Sequence, residues 1–227
     1  MNILAIDTST RRLCLGLINN QRKILEYNLD SGIRHTELLL PTIKKALRRL
    51  RVSLDDIDCF AVGLGPGSFT GLRIGLATIK GFVQARNVPV IGLSSLDVLA
   101  VNALAGNSKV ISPVIDAKRN LVYTAWYEVG FKKRLRRRSP YLLISIEELL
   151  NKLRVYKSVA FLGDGLRIYQ QALRQRRKDS IFLEEDTWYP QAGNLIKLAL
   201  DLVNRGRFQD VRRMKPIYLY PKECQIR

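Results

Sequence analysis

Gly65-Pro66-Gly67-Ser68-Phe69-Thr70-Gly71-Leu72-Arg73-Ile74-Gly75 is the stretch on which the reading of this 227-residue chain turns. Four glycines and a proline fall within it, behind an apolar run at 57–64 and ahead of a helix-forming one. A chain accepts that much loss of backbone entropy where side chains would be in the way. Something therefore approaches the backbone closely here: a phosphate, another helix or a partner protein.

Working toward the N-terminus, 3–7, 13–18 and 24–29 read as three strands joined by short turns, an antiparallel meander. A helix is expected at 35–50, with Leu39, Ile43, Ala46, Leu47 and Leu50 on one face and Lys44, Lys45, Arg48 and Arg49 on the other. Pro41 belongs in its first turn or at a kink. After the glycines, 70–86 reads as helix, 88–93 as strand, and Ser94 or Ser95 caps a further helix. The order β-β-β-α-β-α-β-α suggests a five-stranded mixed sheet with helices on its faces.

Ala105-Gly106-Asn107-Ser108 is a plausible boundary between halves at 1–107 and 108–227, with the C-terminal tail packing back on the first half. The pattern then partly restarts. Val110 to Asp116 is an apolar strand ending in Asp, as Ile3 to Asp7 is, and 121–129 is a second strand. A basic block fills the turn before a strand at 141–144. Helix 146–153, strand 158–162, the loop Gly163-Asp164-Gly165, helix 166–174 and a last helix from Pro190 to about Asn204 follow.

Composition narrows the function classes. Hydrophobic residues make up 47%, enough for packed cores. No apolar run reaches the roughly 18 residues of a membrane span, and the N-terminus reads as a first strand without a signal peptide. Three scattered cysteines without a C-x-x-C pair fit a reducing cytosol. The net charge is +18, from 38 Lys+Arg against 20 Asp+Glu, and it is clustered. Lys132, Lys133, Arg134, Arg136, Arg137 and Arg138 form one block; 174–178 and 212–215 form two more. Such clusters attract polyanions, so the first block is a candidate nucleic-acid contact, set against the alternative of a merely solvated basic surface.

The glycine segment fits neither standard nucleotide fingerprint. No Gly-Lys-Ser/Thr follows for a Walker loop, and Gly65 and Gly67 are followed by Thr70 where the dinucleotide spacing needs glycine. An anion site at the helix N-terminus, through Ser68 and Arg73, stays open. The serine elbow fails because Pro66 and Thr70 flank Ser68, which caps the helix instead. A single histidine and three scattered cysteines leave too few soft ligands for a metal centre. Asp7 and Asp116 end strands and could hold Mg²⁺ through waters, or simply accept bonds from their own turns; the second is favoured.

The helix after the glycines has two usable faces. Leu72, Leu76, Ile79 and Val83 make an apolar stripe; Gly71, Gly75, Thr78 and Phe82 make an adjacent one shaved to backbone. Packing within the domain competes with an intermolecular bundle using this helix and 35–50. The reading adopted is helix against helix, with Gly67, Gly71 and Gly75 marking where a partner docks.

Several stretches in order resemble the TsaB (YeaZ) family. They are Ile3-Leu4-Ala5-Ile6-Asp7-Thr8-Ser9, Arg34-His35-Thr36-Glu37-Leu38-Leu39-Leu40-Pro41, Gly65 through Gly75, Ser94-Ser95-Leu96, Val114-Ile115-Asp116-Ala117-Lys118-Arg119, Gly163-Asp164-Gly165, Pro190-Gln191-Ala192 and Pro216-Ile217-Tyr218-Leu219. The resemblance implies the actin-like ATPase (ASKHA) fold of two ribonuclease-H-like α/β halves. It implies a cytoplasmic, non-catalytic relative of TsaD, a pseudo-enzyme that scaffolds and activates TsaD together with TsaE. That assembly makes N6-threonylcarbamoyladenosine (t6A) at position 37 of tRNAs reading A-starting codons; the alternative is a stand-alone ATPase or peptidase of the same fold. The partner surface it implies is helices 35–50 and 67–86, with His35, Leu39, Ile43, Gly67, Gly71, Leu72, Gly75, Leu76, Thr78, Ile79 and Phe82, and two copies of the chain could pair through it. ATP or ADP and a metal are expected in TsaD, with no cofactor held tightly by this chain and no metal. Asp7, Thr8, Ser9, Ser68, Arg73 and Asp116 are the candidates for any nucleotide contact. Three departures stand out: the turn Asp7-Thr8-Ser9-Thr10 lacks the glycine usual beside the phosphate hairpin's Asp, Asp116-Ala117 is followed by Lys118 where Arg is frequent, and Tyr220 stands where an arginine closes the family's last motif.

Overall fold

The structure is a computed structural model describing residues 1–32 and 34–221; Cys224 lies outside the described residues. In chain order it contains β1 (Ile3–Asp7), β2 (Arg12–Ile18), β3 (Ile24–Asp30), α1 (His35–Leu50), β4 (Cys59–Gly63), α2 (Phe69–Arg86), β5 (Val90–Leu93) and α3 (Ser95–Asn102). Then come β6 (Val110–Asp116), β7 (Val122–Thr124), β8 (Tyr127–Val129), β9 (Leu135–Arg137), β10 (Leu142–Ile144), α4 (Ile146–Leu153), β11 (Ala160–Leu162), α5 (Leu166–Arg176), β12 (Ile181–Phe182) and α6 (Ala192–Asn204). The chain divides into two compact units, Met1–Val98 with Pro190–Ile217, and Leu99–Tyr189 with the segment from Tyr218. This grouping differs from a single cut at residue 107, because α6 lies with the first unit.

The first sheet has the order β3-β2-β1-β4-β5, antiparallel through the meander and parallel from β1 to β5. Its central strand β1 is buried on both faces. Leu4 and Ile6 join Leu13, Leu15, Phe60 and Val62 in a core closed by Leu39, Ile43 and Ala46 of α1 and Leu76, Ile79 and Val83 of α2. Ile3 and Ala5 point the other way, toward Leu195, Ile196 and Ala199 of α6. Period two in the strand thus feeds two helical layers, and each Leu, Ile, Val or Phe among these side chains contributes about 1.5–3 kcal/mol when fully buried.

Strand β3 alternates exposed and half-buried residues along its length, and its exposed positions explain where α6 sits. Asn28 Oδ1 accepts from Ala192 N at 2.9 Å, and Glu26 Oε2 from Gly193 N at 2.9 Å. These are among the first N–H groups of α6, which no turn of the helix can satisfy. A side chain at Gly193 would meet Glu26 Oε1 at 2.6 Å, and one at Gly16 would meet Ile196 Cγ1 at 2.6 Å.

The second sheet repeats the first along its main path, β10-β7-β6-β11-β12, with the same alternation of antiparallel and parallel neighbours. Its second strand is interrupted after Thr124. The continuation β8 pairs with the start of β6 and with β9, which carries part of the basic block. That block is therefore divided between the turn of a hairpin, at Lys132 and Lys133, and its strand β9, and β12 is an element the sequence pattern does not reveal. Two mixed sheets of one topology, each flanked by helices, are the two ribonuclease-H-like halves of the actin-like fold.

Candidate functional site

The glycine segment leaves β4 at Gly63, turns through Gly65 (φ +90°) and enters α2, whose first turn is capped by Ser68 Oγ accepting from Gly71 N at 3.2 Å. What it approaches is the chain's own first hairpin turn. Ser68 N donates to Ser9 O at 2.7 Å, and Thr8 Oγ1 donates to Gly71 O at 2.7 Å. A β-carbon at Gly67 would strike Ser9 O, one at Gly71 would strike Thr8 O, and one at Gly75 would strike Thr8 Oγ1. All three glycines are shaved to admit residues 8 and 9. This corrects the expectation that Gly67, Gly71 and Gly75 mark a partner's docking point; packing within the unit accounts for them.

The same turn disposes of Asp7. Its Oδ1 accepts from Ser9 N at 2.7 Å and its Oδ2 from Ser95 Oγ at 2.8 Å. It lies against Gly63, where any β-carbon would collide with the carboxylate. Burial pushes the carboxyl above its ordinary value, while the bonds from Ser9 and Ser95 pull it part of the way back. Thr8, Ser9 and Thr10 are buried with it. These residues do not fit a nucleotide phosphate or a hydrated metal: both carboxylate oxygens are already engaged, and the turn's backbone is covered by α2. Ser68 and Arg73 are exposed on α2, with the Arg73 guanidinium 3.7 Å from the Phe69 ring.

Most side chains expected at the partner surface point inward. His35 is buried, with Nε2 2.7 Å from Thr10 O and Nδ1 3.0 Å from Ser31 Oγ. Leu39, Ile43, Leu72, Leu76 and Ile79 are buried core residues. Thr78 and Phe82 are half-buried; Thr78 Oγ1 donates to Ile74 O at 2.9 Å, and Phe82 stacks on Phe60 with ring centroids 5.6 Å apart. The helices present other residues outward. Leu40 is 55% exposed, and α2 exposes Thr70, Arg73, Ala77, Gly81, Gln84 and Ala85. Beside Leu40 runs an open groove of about 480 Å³ over Ile43, Leu47 and Phe82, rimmed by Lys44, Arg48 and Arg51. Periodicity could have found this face, since it is what remains after the core stripes are assigned.

In the second unit, Asp116 ends β6 as Asp7 ends β1. Its Oδ1 accepts from Lys118 N at 2.9 Å, and its Oδ2 pairs with Lys118 Nζ at 2.6 Å, which raises the lysine's pKa. Asp164 accepts from Asp116 N at 3.1 Å, and burial raises its carboxyl. Tyr220 donates to Ala117 O at 2.7 Å, so the residue standing in the expected arginine's place ties the tail to this turn.

The basic blocks are partly spent on structure. Arg138 pairs with Glu128 at 2.5 Å, the Arg137 guanidinium lies 3.9 Å from the Tyr141 ring, and Lys133 Nζ donates to Leu104 O at 2.8 Å. Arg176 pairs with Glu147 at 3.2 Å, and Arg177 donates to Leu153 O at 3.1 Å. Among the described residues, no group of three or more His, Cys, Asp or Glu side chains could hold a metal ion, and no helix is long and apolar enough to cross a membrane.

Comparison with known proteins agrees with the topology. The family model for TsaD, tRNA N6-adenosine threonylcarbamoyltransferase, matches residues 30–204. A tRNA threonylcarbamoyladenosine biosynthesis protein TsaB from Buchnera aphidicola (subsp. Baizongia pistaciae) is 30% identical over 96% of this chain and 97% of its own length. The Bacillus subtilis protein of that name is 31% identical over 76% of this chain and 75% of its own. The solved structure of YeaZ from Pseudomonas aeruginosa superposes with a TM-score of 0.84 at 27% identity, covering 96% of this chain and 99% of that one. With the family model covering most of the chain and relatives of this name aligned along it, the chain belongs to the TsaB (YeaZ) family.

Proposed function

We propose that this chain is a non-catalytic subunit that docks on TsaD and activates it, with TsaE, for t6A formation at position 37 of tRNAs reading A-starting codons. In this reading ATP or ADP and the metal are TsaD's, the chain holds no cofactor tightly, and the complex works in the cytoplasm. The observation that carries the non-catalytic role is the state of Asp7: buried, with both oxygens accepting hydrogen bonds and its turn covered by α2. That burial supports the reading, because the carboxylate is not presented to solvent, where a metal's water or a phosphate would sit.

The docking surface is the outward side of α1 and α2, with Leu40 and its basic-rimmed groove on one helix and the small residues Ala77, Gly81 and Ala85 on the other. Small side chains let a partner helix come close, and the apolar groove loses water when covered. In the absence of TsaD the same faces pair two copies of this chain.

The test is reconstitution with the cognate TsaD, TsaE, the adenylate-forming enzyme and unmodified tRNA. Omitting this chain is expected to abolish t6A; full product without it overturns the reading. Leu40→Asp and Ala77→Glu are expected to weaken co-elution with TsaD while the melting temperature holds. ATP turnover by the chain alone, lost in Asp7→Ala, would instead favour a stand-alone ATPase.

A further inference from the structure

The tip of the β8–β9 hairpin has no role in that reading, and four features single it out. Gly130 N donates to Arg134 O at 2.8 Å and Arg134 N to Phe131 O at 3.3 Å, closing a tight turn over Lys132 and Lys133. Both lysines have φ of +54°, the left-handed region that asparagine or glycine enters without strain and that this turn type demands. Phe131, at the mouth of the turn, is 86% exposed, more than any other large hydrophobic among the described residues. Arg134 and Arg136 point to one face of the hairpin, two positions apart on an extended strand. Neither side chain has a partner among the described residues, whereas Arg138 on the same face is neutralised by Glu128. A concavity of about 600 Å³ lies between Phe131, Lys132, Arg134 and Arg136.

We propose that this hairpin is a finger for single-stranded RNA, in which Phe131 stacks on an unpaired base while Arg134 and Arg136 hold phosphates of the same strand. An exposed ring takes any base on its face, and flanking cations supply the backbone attraction. The positive block has the sign this ligand requires, and a strand's successive phosphates suit cations spaced along one β-strand face. An anionic lipid surface fits less well, because insertion needs a broad apolar face and this tip offers one ring among charges. The inference rests on the proposed place in tRNA modification only for the identity of the RNA. It requires nothing of TsaD.

The experiment uses the full chain alone, titrated with an unmodified tRNA transcript, a single-stranded oligouridylate, a blunt RNA duplex, and vesicles of equal parts phosphatidylcholine and phosphatidylserine. Phe131→Ala is expected to weaken binding of tRNA and oligouridylate about 5- to 150-fold, with duplex binding and melting temperature unchanged, and Phe131→Trp to restore it. Arg134→Gln with Arg136→Gln is expected to lower the slope of log affinity against log salt by about 1.4, the loss of two single-strand phosphate contacts. Wild-type affinity in Phe131→Ala overturns the proposal, as does vesicle binding with no RNA binding. If the finger fails while t6A formation still needs the chain, the subunit reading stands; if RNA binding follows these variants while TsaD pairing fails, the finger stands alone.

Discussion

Gly75 and Gly81 lie six positions apart in the interior of α2, and the same substitution at both separates helix propensity from packing. Glycine to alanine within a helix gains about 1 kcal/mol. Around Gly81 nothing lies within 4 Å of a new methyl, so Gly81→Ala is expected to keep that gain and raise the melting temperature by about 2–4 °C. At Gly75 the methyl would strike Thr8 Oγ1, which is buried and donates to Gly71 O at 2.7 Å. A β-branched side chain cannot swing its hydroxyl aside without abandoning that bond. An unsatisfied buried hydroxyl costs about 1–3 kcal/mol. Gly75→Ala is therefore expected to be neutral to about 2 kcal/mol destabilising, and to melt about 2–12 °C below Gly81→Ala.

Thr8→Ala supplies the control. It removes the hydroxyl and leaves ordinary contacts at the Thr8 Cβ position, 3.6 Å from the new methyl. In that background Gly75→Ala is expected to become stabilising, a coupling of about 1–3 kcal/mol in a double-mutant cycle followed by circular dichroism. Equal melting temperatures for the two alanine variants, or a penalty at Gly75 that Thr8→Ala does not relieve, would refute the close approach. Normal stability in Gly75→Ala together with lost pairing to TsaD would return the glycines to the partner surface.

The burial of Asp7 makes a pH prediction. Its folded pKa is raised above the ordinary 3.8, so the folded state holds the proton more tightly than the unfolded chain. The stability this contributes is complete below about pH 3.9 and is lost as pH rises through the raised value. Asp7→Asn should remove that slope, and urea midpoints measured across the acidic range check it; parallel curves for the two proteins would count against a buried, strained carboxyl. Cys14 and Cys59 are both buried, the first thiol pushed well up and the second to about 12. In a Cys224→Ser background, neither should react with a chromogenic disulfide at pH 8 until denaturant is added. Arg177→Met should destabilise the second unit by about 1–3 kcal/mol, because its guanidinium bonds Leu153 O, Tyr156 O and Ser180 Oγ at once; an unchanged unfolding midpoint would show those bonds to be worth nothing.

Much of the first unit was legible from its patterns: period two in β3, near-continuous apolar runs in β1 and β4, and about three and a half in α1 and α2. The glycines were legible as a site of close approach, but glycine records only that something comes near. What comes near is Thr8 and Ser9, some sixty positions upstream, and nothing in those two residues announces it. The burial of His35 is illegible for a related reason. A lone polar residue at a helix start looks available, while its partners Ser31 and Thr10 are set by the meander's geometry. Strand β9 was hidden by charge, since Arg136 and Arg137 supply no apolar alternation, and β12 is too short for any periodicity. The role of Phe131 is not legible, because exposure of a single aromatic cannot be read from composition.

The two units carry the same frame at their first hairpins and fill it differently. In each, the strand-ending aspartate accepts from the N–H two residues on, Ser9 in one and Lys118 in the other. In each, the chain leaves the parallel neighbour strand through a left-handed glycine, Gly65 at +90° and Gly163 at +111°. In the second unit the glycines flanking Asp164 press on Val114 O, and the aspartate pair stays beside the exposed Lys118. In the first, α2 itself is drawn down onto residues 8 and 9 until its backbone touches theirs. A phosphate site there could not be restored by adding one glycine to the turn, because the obstruction is a helix backbone bonded in place at Ser9 and Thr8. The close approach that the sequence left open to a phosphate, a helix or a partner is thus what shuts the turn. On the proposed subunit role, the outward helix faces and the basic hairpin are the places where the chain would act.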